Sequence, residues 1–242
     1  MKKILITGSN RGIGLALTRR YLSNGDSVFA TCRSPGTATA LHDLEKEHPE
    51  RIVVLGLDTV DPASHEGLRN EIVERDGAID ILVNNAGVYV NDPNLGPESI
   101  HHTIRGFDPE RSIEFFRANA IAHLALTRAL LPFLEKGNKP RIAFLSSGLG
   151  SIDRKRGGGV EYSYSASKAA LNMFARVLAN ELAPQGILVV TLDPGWVKTD
   201  MGTSAAPLEP EPVADGLYRV IRDLDRSRSG TFINWRGESV AW

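Results

Sequence analysis

The chain has 242 residues, of which 42% are hydrophobic and 24% are charged, and its formal net charge is −1. This length fits one large α/β domain, and the apolar content is enough for a sizeable core and excludes a disordered chain. The 28 basic and 29 acidic residues are balanced, which argues against the basic surface that nucleic-acid binding requires.

Cysteine usage and the absence of long apolar runs predict a cytoplasmic protein without a membrane segment. Cys32 is the single cysteine, so no internal disulfide can form, as is typical of a reducing compartment. The apolar stretch at residues 4–6 is too short for a secretory signal core, and no segment approaches the roughly 20 apolar residues of a membrane span. The adjacent His101 and His102 lack zinc-ligand spacing, so no metal is expected.

Short apolar runs alternate with longer amphipathic stretches along the chain. The runs rich in Val, Ile and Leu predict strands at residues 3–6, 27–31, 52–57, 79–83, 141–145, 188–192 and 231–234. Helical patterns fill the intervals at residues 13–23, 38–46, 63–75, 108–134, 165–183 and 212–224. Strands that are apolar on both faces indicate a parallel sheet covered by helices on both sides. The sequence therefore predicts one α/β domain, residues 1–242, with a doubly wound seven-stranded parallel sheet of the Rossmann type.

A glycine-rich turn follows the first predicted strand and opens the first helix. Gly8 allows a tight turn, Gly12 lets the backbone approach a pyrophosphate, and Gly14 lets the helix pack closely on the strand. The helix N-terminus offers unpaired N–H groups and a partial positive charge to phosphate oxygens. A glycine turn without a ligand is the alternative. The residues expected to contact a dinucleotide are Gly8, Ser9, Asn10, Arg11, Gly12, Ile13 and Gly14.

The end of the second predicted strand discriminates between the two nicotinamide cofactors. An acidic residue there commonly bonds the ribose 2′-hydroxyl of NAD, but this strand ends without one and is followed by Arg33. A guanidinium attracts a 2′-phosphate through charge-assisted hydrogen bonds, and Arg11 can approach from the glycine turn. Both arginines could instead be ordinary surface residues. The pattern favours NADP(H) over NAD(H).

Polar and small residues end the third and fourth predicted strands. Asp58 closes the third strand, where it is placed to meet the adenine edge. Asn85, Ala86 and Gly87 follow the fourth strand, and the amide there is expected to fix the glycine turn or contact the cofactor. An Asn-rich turn without ligand contacts is the alternative.

Tyr164 and Lys168 are spaced four residues apart at the start of an amphipathic helix. Residues at this spacing share a helix face, so the ammonium is expected near the phenol. A neighbouring cation favours the phenolate, so the pattern predicts a lowered tyrosine pKa and a proton donor or acceptor at neutral pH. The pair alone is a weak signal, because chance produces this spacing often.

Four stretches in order, TGSNRGIG, NNAG, YSASK and PGWVKTD, resemble the short-chain dehydrogenase/reductase family. The resemblance spans residues 2–242, and SSGLGSI, YSASKAALNM, DPGWVKTDMG and the ending GTFINWRGESVAW are similar to the C-factor/Sniffer-like carbonyl reductases. The resemblance implies that Asn119 holds a water linking Lys168 to solvent, and that Lys168 also bonds the nicotinamide ribose. It further implies that one segment positions the nicotinamide carboxamide, through Pro194, Gly195, Val197 and Thr199.

Two serines compete for the third catalytic position that the resemblance implies. Ser151 lies 13 residues before Tyr164, close to the usual family spacing, whereas Ser147 comes just after the fifth predicted strand in the family's Ser-x-x-Gly pattern. Strand-end geometry fixes the hydroxyl, and a glycine-rich insertion can lengthen the loop without moving it. We therefore favour Ser147.

Together the motifs predict an oxidoreductase that transfers a hydride between NADP(H) and a ketone, aldehyde or alcohol, with Tyr164 as the general acid or base. A catalytically weak NADP-binding regulatory or signalling protein is the alternative, since fold alone does not establish chemistry. Substrate contacts are expected from the segments 88–107, 152–161 and 196–207, with Tyr89, Trp196 and Met201 as candidate lining residues. The helices 108–134 and 165–183 either form the face of a homodimer or homotetramer, as in many family members, or stay partly solvent-exposed.

Overall fold

A computed structural model describes residues 1–75, 77–89, 103–155 and 161–242. His101 and His102 lie outside these residues, as do parts of two predicted substrate segments.

Seven strands form one parallel sheet in the order β3-β2-β1-β4-β5-β6-β7, which confirms the predicted doubly wound fold. The strands are β1 Lys3–Thr7, β2 Ser27–Cys32, β3 Ile52–Gly56, β4 Ile81–Asn84, β5 Arg141–Leu145, β6 Leu188–Asp193 and β7 Phe232–Asn234. The α-helices are α1 Gly12–Ser23, α2 Thr39–Glu47, α3 Pro62–Val73, α4 Pro109–Phe116, α5 Ala122–Leu134, α6 Tyr162–Leu182 and α7 Pro210–Arg222.

Two apolar clusters, one on each face of the sheet, form the core. Side chains of α1, α2 and α7 pack with one set of strand residues, and those of α3, α5 and α6 pack with the other set. Successive strand side chains point to opposite faces, so Leu5 belongs to the second cluster while Ile4 and Ile6 belong to the first. This two-sided burial is the physical reason why the central strands are apolar almost throughout.

The strand order reverses between β1 and β4, and this reversal positions the site. β1 pairs with β2 on one side and with β4 on the other, so the loops that follow β1 and β4 diverge to opposite faces. Ligands bind in the crevice that such a reversal opens beyond the carboxyl ends of the strands. The glycine turn follows β1 and residues 85–89 follow β4, so both segments lie at this crevice.

The helix predicted at residues 108–134 is confirmed, but it is not α-helical throughout. Two helices, α4 and α5, are separated by a π-helical turn at Arg117–Ile121, which contains Asn119. Asp108 caps α4 by accepting the backbone N–H groups of Glu110 and Arg111. A π turn carries one extra residue per turn and occurs mostly at functional sites, and an amphipathic pattern does not reveal it.

Exposed apolar side chains mark the two long helical segments that the sequence offers as an association face. Ile121 is 53% exposed, and Met173 and Val177 on α6 are 62% and 54% exposed. A homodimer or homotetramer stays a prediction. Within the described part of the chain, no helix combines the length and the apolar character that crossing a membrane requires.

Candidate active site

The glycine turn between β1 and α1 is shaped by close backbone approaches. Gly8 has a φ of +68°, a conformation that side chains with a Cβ rarely adopt. A Cβ at Gly14 would lie 2.2 Å from the Gly8 carbonyl oxygen and 2.6 Å from Asn85 Nδ2. The turn therefore leaves a cradle of bare backbone at the start of α1, and this suits a pyrophosphate that binds through backbone N–H groups.

Hydrogen bonds from the end of β4 hold this turn in place. Asn85 Nδ2 donates to the Thr7 carbonyl at 2.7 Å and to the Gly8 carbonyl at 3.1 Å. The Thr7 hydroxyl oxygen accepts the backbone N–H groups of Asn85 and Ala86, each at 2.9 Å. The predicted brace between the Asn-rich turn and the glycine turn is thus present. Thr7 was missed as a site residue, although its place directly before Gly8 was a usable signal.

The segment after β6 folds back onto the glycine turn. A Cβ at Gly12 would lie 2.9 Å from Thr199 Cγ2, so the two predicted cofactor-binding segments meet. The Thr199 hydroxyl oxygen accepts the Gly202 N–H at 3.0 Å, and Asp193 Oδ1 accepts the Gly195 N–H at 3.0 Å. Val197 is buried and forms an isolated bridge with Leu208. Pro194 lies between Asp193 and Gly195 in this ordered segment.

The two predicted 2′-phosphate ligands occupy different environments. Arg33 follows β2 as an exposed side chain, and no hydrogen bond or ion pair of its guanidinium is found within the described residues. Arg11 pairs with Asp200 at 2.7 Å, but both side chains are more than half exposed, so the pair contributes little stability. Asp58 binds its own turn, since its Oδ1 accepts the Val60 N–H at 3.1 Å.

Ser147, Tyr164 and Lys168 converge beyond β5. Ser147 begins a short 3-10 turn, and its hydroxyl oxygen accepts the Leu149 N–H at 3.1 Å. Tyr164 lies in the first turn of α6, where the Ser147 hydroxyl is its hydrogen-bonding neighbour. The Lys168 ammonium lies 5.8 Å from the centre of the Tyr164 ring and donates to the Leu145 carbonyl at 2.9 Å. The predicted pair thus shares one face of α6, next to the end of β5.

The prediction that Lys168 lowers the pKa of Tyr164 is wrong for this structure. Burial raises the pKa of the phenol well above its ordinary value, and the charges of Glu161 and Asp193 raise it further. The hydrogen bond with Ser147 acts in the opposite direction. Burial also lowers the pKa of Lys168 to about 8. Sequence spacing predicts that two groups are neighbours, but it does not predict how much solvent they lose.

Asn119 in the π turn is fully buried and joins the loop after β4 to α6. Its Oδ1 accepts the Val88 N–H at 2.8 Å, and its Nδ2 donates to the Val88 carbonyl at 3.0 Å and to Ser167 Oγ at 3.2 Å. A Cβ at Gly87 would lie 3.2 Å from Asn119 Oδ1 and 3.7 Å from Lys168 Nζ. The structure therefore brings Asn119, Gly87 and Lys168 together, and the water that the resemblance implies between Asn119 and Lys168 stays a prediction.

The family model of the short chain dehydrogenase matches residues 2–209 of the chain. The chain belongs to this family. The C-signal protein of Myxococcus xanthus is a relative, 37% identical over 166 residues that cover 69% of this chain and 94% of the relative. Two solved structures are each 34% identical: NADPH-bound carbonyl reductase from chicken fatty liver, with a TM-score of 0.91, and carbonyl reductase Sniffer of D. melanogaster, with a TM-score of 0.90. Both comparisons cover 100% of this chain, with 99% and 100% of the other chain. The chain is therefore an oxidoreductase of the short-chain dehydrogenase family.

Ser151 has a different environment from Ser147 in this short-chain dehydrogenase. Its buried hydroxyl donates to the Ala241 carbonyl at 2.7 Å and accepts the Arg154 N–H at 3.2 Å. Trp242 stacks on Phe232 of β7, with ring centres 5.5 Å apart. Ser151 therefore attaches the loop after β5 to residues 241–242 and does not face Tyr164. These bonds favour Ser147 over Ser151 as the third catalytic residue, which stays a prediction.

A buried histidine on α5 was missed by sequence reasoning. His123 lies on α5, is fully buried, and neither ring nitrogen has a hydrogen-bond partner within the described residues. Burial lowers its pKa to about 3, the charge of Lys168 lowers it as well, and the Ala86 carbonyl has the opposite effect. The ring is therefore neutral at neutral pH.

Aromatic side chains surround the Tyr164 ring. Tyr89 meets it edge to face with ring centres 4.8 Å apart, and Phe115 does so at 6.4 Å. The predicted lining residue Tyr89 is thus at the site. Trp196 and Met201 are 56% and 38% exposed on the neighbouring segment. Phe115 was missed, because a helical pattern shows which side chains are buried but not that one of them meets Tyr164.

Proposed function

We propose that the chain reduces a ketone or aldehyde to an alcohol with NADPH, and that Tyr164 donates the proton. The observation that carries this proposal is the position of the Ser147 hydroxyl next to the partly buried Tyr164 phenol beyond β5. Burial raises the pKa of Tyr164, so the phenol is protonated at neutral pH and able to donate. Both hydroxyls would hydrogen-bond the carbonyl oxygen, on which negative charge develops during reduction.

The nicotinamide dinucleotide would supply the hydride, which is the cofactor's own chemistry. The cradle of Gly8, Gly12 and Gly14 fits its pyrophosphate, because a Cβ at Gly14 would fill the space that the close backbone approach requires. Lys168 would fix the ribose and Asn119 would order the proton path to solvent. The chicken fatty liver carbonyl reductase has NADPH bound in its crystal structure, which supports the same cofactor here.

The preference for NADP(H) over NAD(H) rests on Arg33 and Arg11. Arg33 stands exposed at the end of β2, where an acidic residue would suit NAD, and Arg11 immediately precedes α1 in the glycine turn. Two guanidiniums at this edge favour a ligand with an additional phosphate. Asp58 follows β3 on the same side of the cradle and is our candidate for the adenine edge.

Replacing Tyr164 with Phe tests the reaction. The variant keeps the ring but removes the proton donor, so we expect kcat for carbonyl-dependent NADPH oxidation to fall by at least about 100-fold. NADPH binding, followed by quenching of protein fluorescence, should change less than about threefold, because one peripheral hydrogen bond contributes little to that affinity. Retained turnover in this variant would refute the assignment. Tight NADPH binding without turnover on any carbonyl compound would favour a regulatory protein.

A further inference from the structure

Glu161 immediately precedes α6 and carries a carboxylate that the chain only half satisfies. One oxygen, Oε1, accepts a hydrogen bond from the Tyr89 hydroxyl. The other, Oε2, is inaccessible to solvent and has no hydrogen-bond partner within the described residues. The carboxylate does not cap α6, since no side-chain hydrogen bond is made at that position. One carboxylate oxygen is therefore buried without a donor.

Among the described residues, two basic side chains of this part of the chain bind other partners. Lys168 donates to the Leu145 carbonyl, and Arg154 pairs with Asp193 at 3.5 Å. Burying a carboxylate oxygen without a donor is costly, and a chain usually avoids it through a salt bridge or by exposing the group. At a site that binds a ligand, the same arrangement is explained when the ligand brings the missing donor.

Glu161 lies close to the reacting groups. It is three residues before Tyr164, and its charge acts on both the Tyr164 and the Tyr89 hydroxyls. The Tyr89 ring lies between the two, edge to face with Tyr164 at 4.8 Å. Tyr162, the next residue along the chain, forms a second aromatic pair with Phe107, with ring centres 6.4 Å apart. Aromatic faces attract cations, so the aromatic rings and the Glu161 carboxylate both favour a cationic ligand.

We propose that Glu161 binds an ammonium group of the substrate, so that the preferred substrates are amino ketones or amino aldehydes. The ammonium would donate to Oε2 while Tyr89 holds Oε1 and thereby orients the carboxylate. The carbonyl would then reach Ser147 and Tyr164, separated from the ammonium by about the width of the Tyr89 ring. This inference rests on the proposed carbonyl reduction and identifies the substrate class of the same site.

Three ketones of nearly equal shape test the inference on the unmodified enzyme. They are para-(aminomethyl)acetophenone, para-methylacetophenone and para-acetylbenzoate, which carry a cation, no charge and an anion at one position. We expect kcat/KM for the cation to exceed that for the neutral ketone by roughly tenfold or more, and the anion to be poorest, as a desolvated charge-assisted hydrogen bond implies. Equal values for the cation and the neutral ketone would overturn the inference. No NADPH oxidation with any carbonyl compound would instead overturn the proposed function.

Glu161→Gln isolates the charge, and Glu181→Gln is the matched control. Glu181 is an exposed residue near the other end of α6, so its substitution removes the same charge from the same helix far from the site. In Glu161→Gln the preference for the cation should fall to within about threefold of unity, while Glu181→Gln keeps it. NADPH binding shows that each variant is folded. A preference that survives in folded Glu161→Gln would overturn the inference, and if that variant does not fold, the ketone series on the unmodified enzyme decides.

Discussion

The two halves of the site are built in different ways. The nucleotide half, from β1 to β4, is held by backbone geometry: Gly14 touches the Gly8 carbonyl, and Asn85 bonds the carbonyls of Thr7 and Gly8. The substrate half, beyond β5, is held by side chains from separate segments. For example, the Tyr89 hydroxyl donates a hydrogen bond to the Glu161 carboxylate. The first half therefore tolerates little change in shape, whereas the second can be altered in specificity while the scaffold stays intact. Substitutions in each half test whether the two halves differ in this way.

The largest effect is expected from Ser147→Ala in the substrate half. It removes a hydrogen-bond donor to the developing oxyanion, so kcat should fall by about 100- to 1,000-fold. Ser151→Ala is the control, because that hydroxyl binds the Ala241 carbonyl. It should leave kcat within about threefold while lowering the free energy of unfolding by about 1 kcal/mol. Steady-state kinetics and urea unfolding measure the two effects, and a reversed result would make Ser151 the catalytic serine.

Most of the nucleotide half could be predicted from the sequence, because its steric requirements are set by residues close together in the chain. The glycines, Asn85 and the apolar strands each impose a steric or burial pattern that periodicity and spacing display. The substrate half was harder to predict from the sequence. Tyr89 was predicted as a lining residue, but Phe115 and His123 become site residues only because tertiary packing brings their segments together. The helix pattern at residues 108–134 also does not show the π turn at Asn119. Solvent exclusion also reversed the expected direction of the Tyr164 pKa shift.

Gly14→Ala should produce the next largest effect, in the nucleotide half. The new Cβ would lie 2.2 Å from the Gly8 carbonyl oxygen, so the turn must shift. We expect NADPH to bind about 10- to 100-fold more weakly, with about 1–3 kcal/mol lost from the free energy of unfolding. Gly67→Ala on α3 is the control, because nothing lies within 4 Å of its added Cβ. The control should be slightly stabilised, as for alanine in an exposed helix. Equal behaviour of the two variants would show that the turn is not sterically constrained.

Arg33→Ala tests whether the nucleotide half selects its cofactor by charge. Loss of one charge-assisted contact should raise KM for NADPH by about tenfold and leave KM for NADH nearly unchanged. Arg69→Ala, at an exposed position on α3, removes the same charge away from the cradle and should change neither value. Parallel changes for both cofactors in Arg33→Ala would assign Arg33 a role outside 2′-phosphate recognition.

His123→Leu should have the smallest effect, at the boundary where the two halves meet. The pKa of His123 is lowered to about 3 from its ordinary value of 6.5, so the unfolded chain binds a proton that the folded chain excludes between these values. Stability therefore falls as the pH decreases from about 6.5 toward 3, and the leucine variant lacks this contribution. Between pH 6.5 and 5.5 the free energy of unfolding should decline by about 1 kcal/mol more in the unmodified protein than in the variant. Urea unfolding at the two pH values measures this difference. The contributions of the other histidines to the pH dependence cancel, because both proteins contain them. If the free energy of unfolding declined equally in both proteins, the folded protein would bind a proton at His123 in this pH range, and the pKa of the ring would not be lowered by burial.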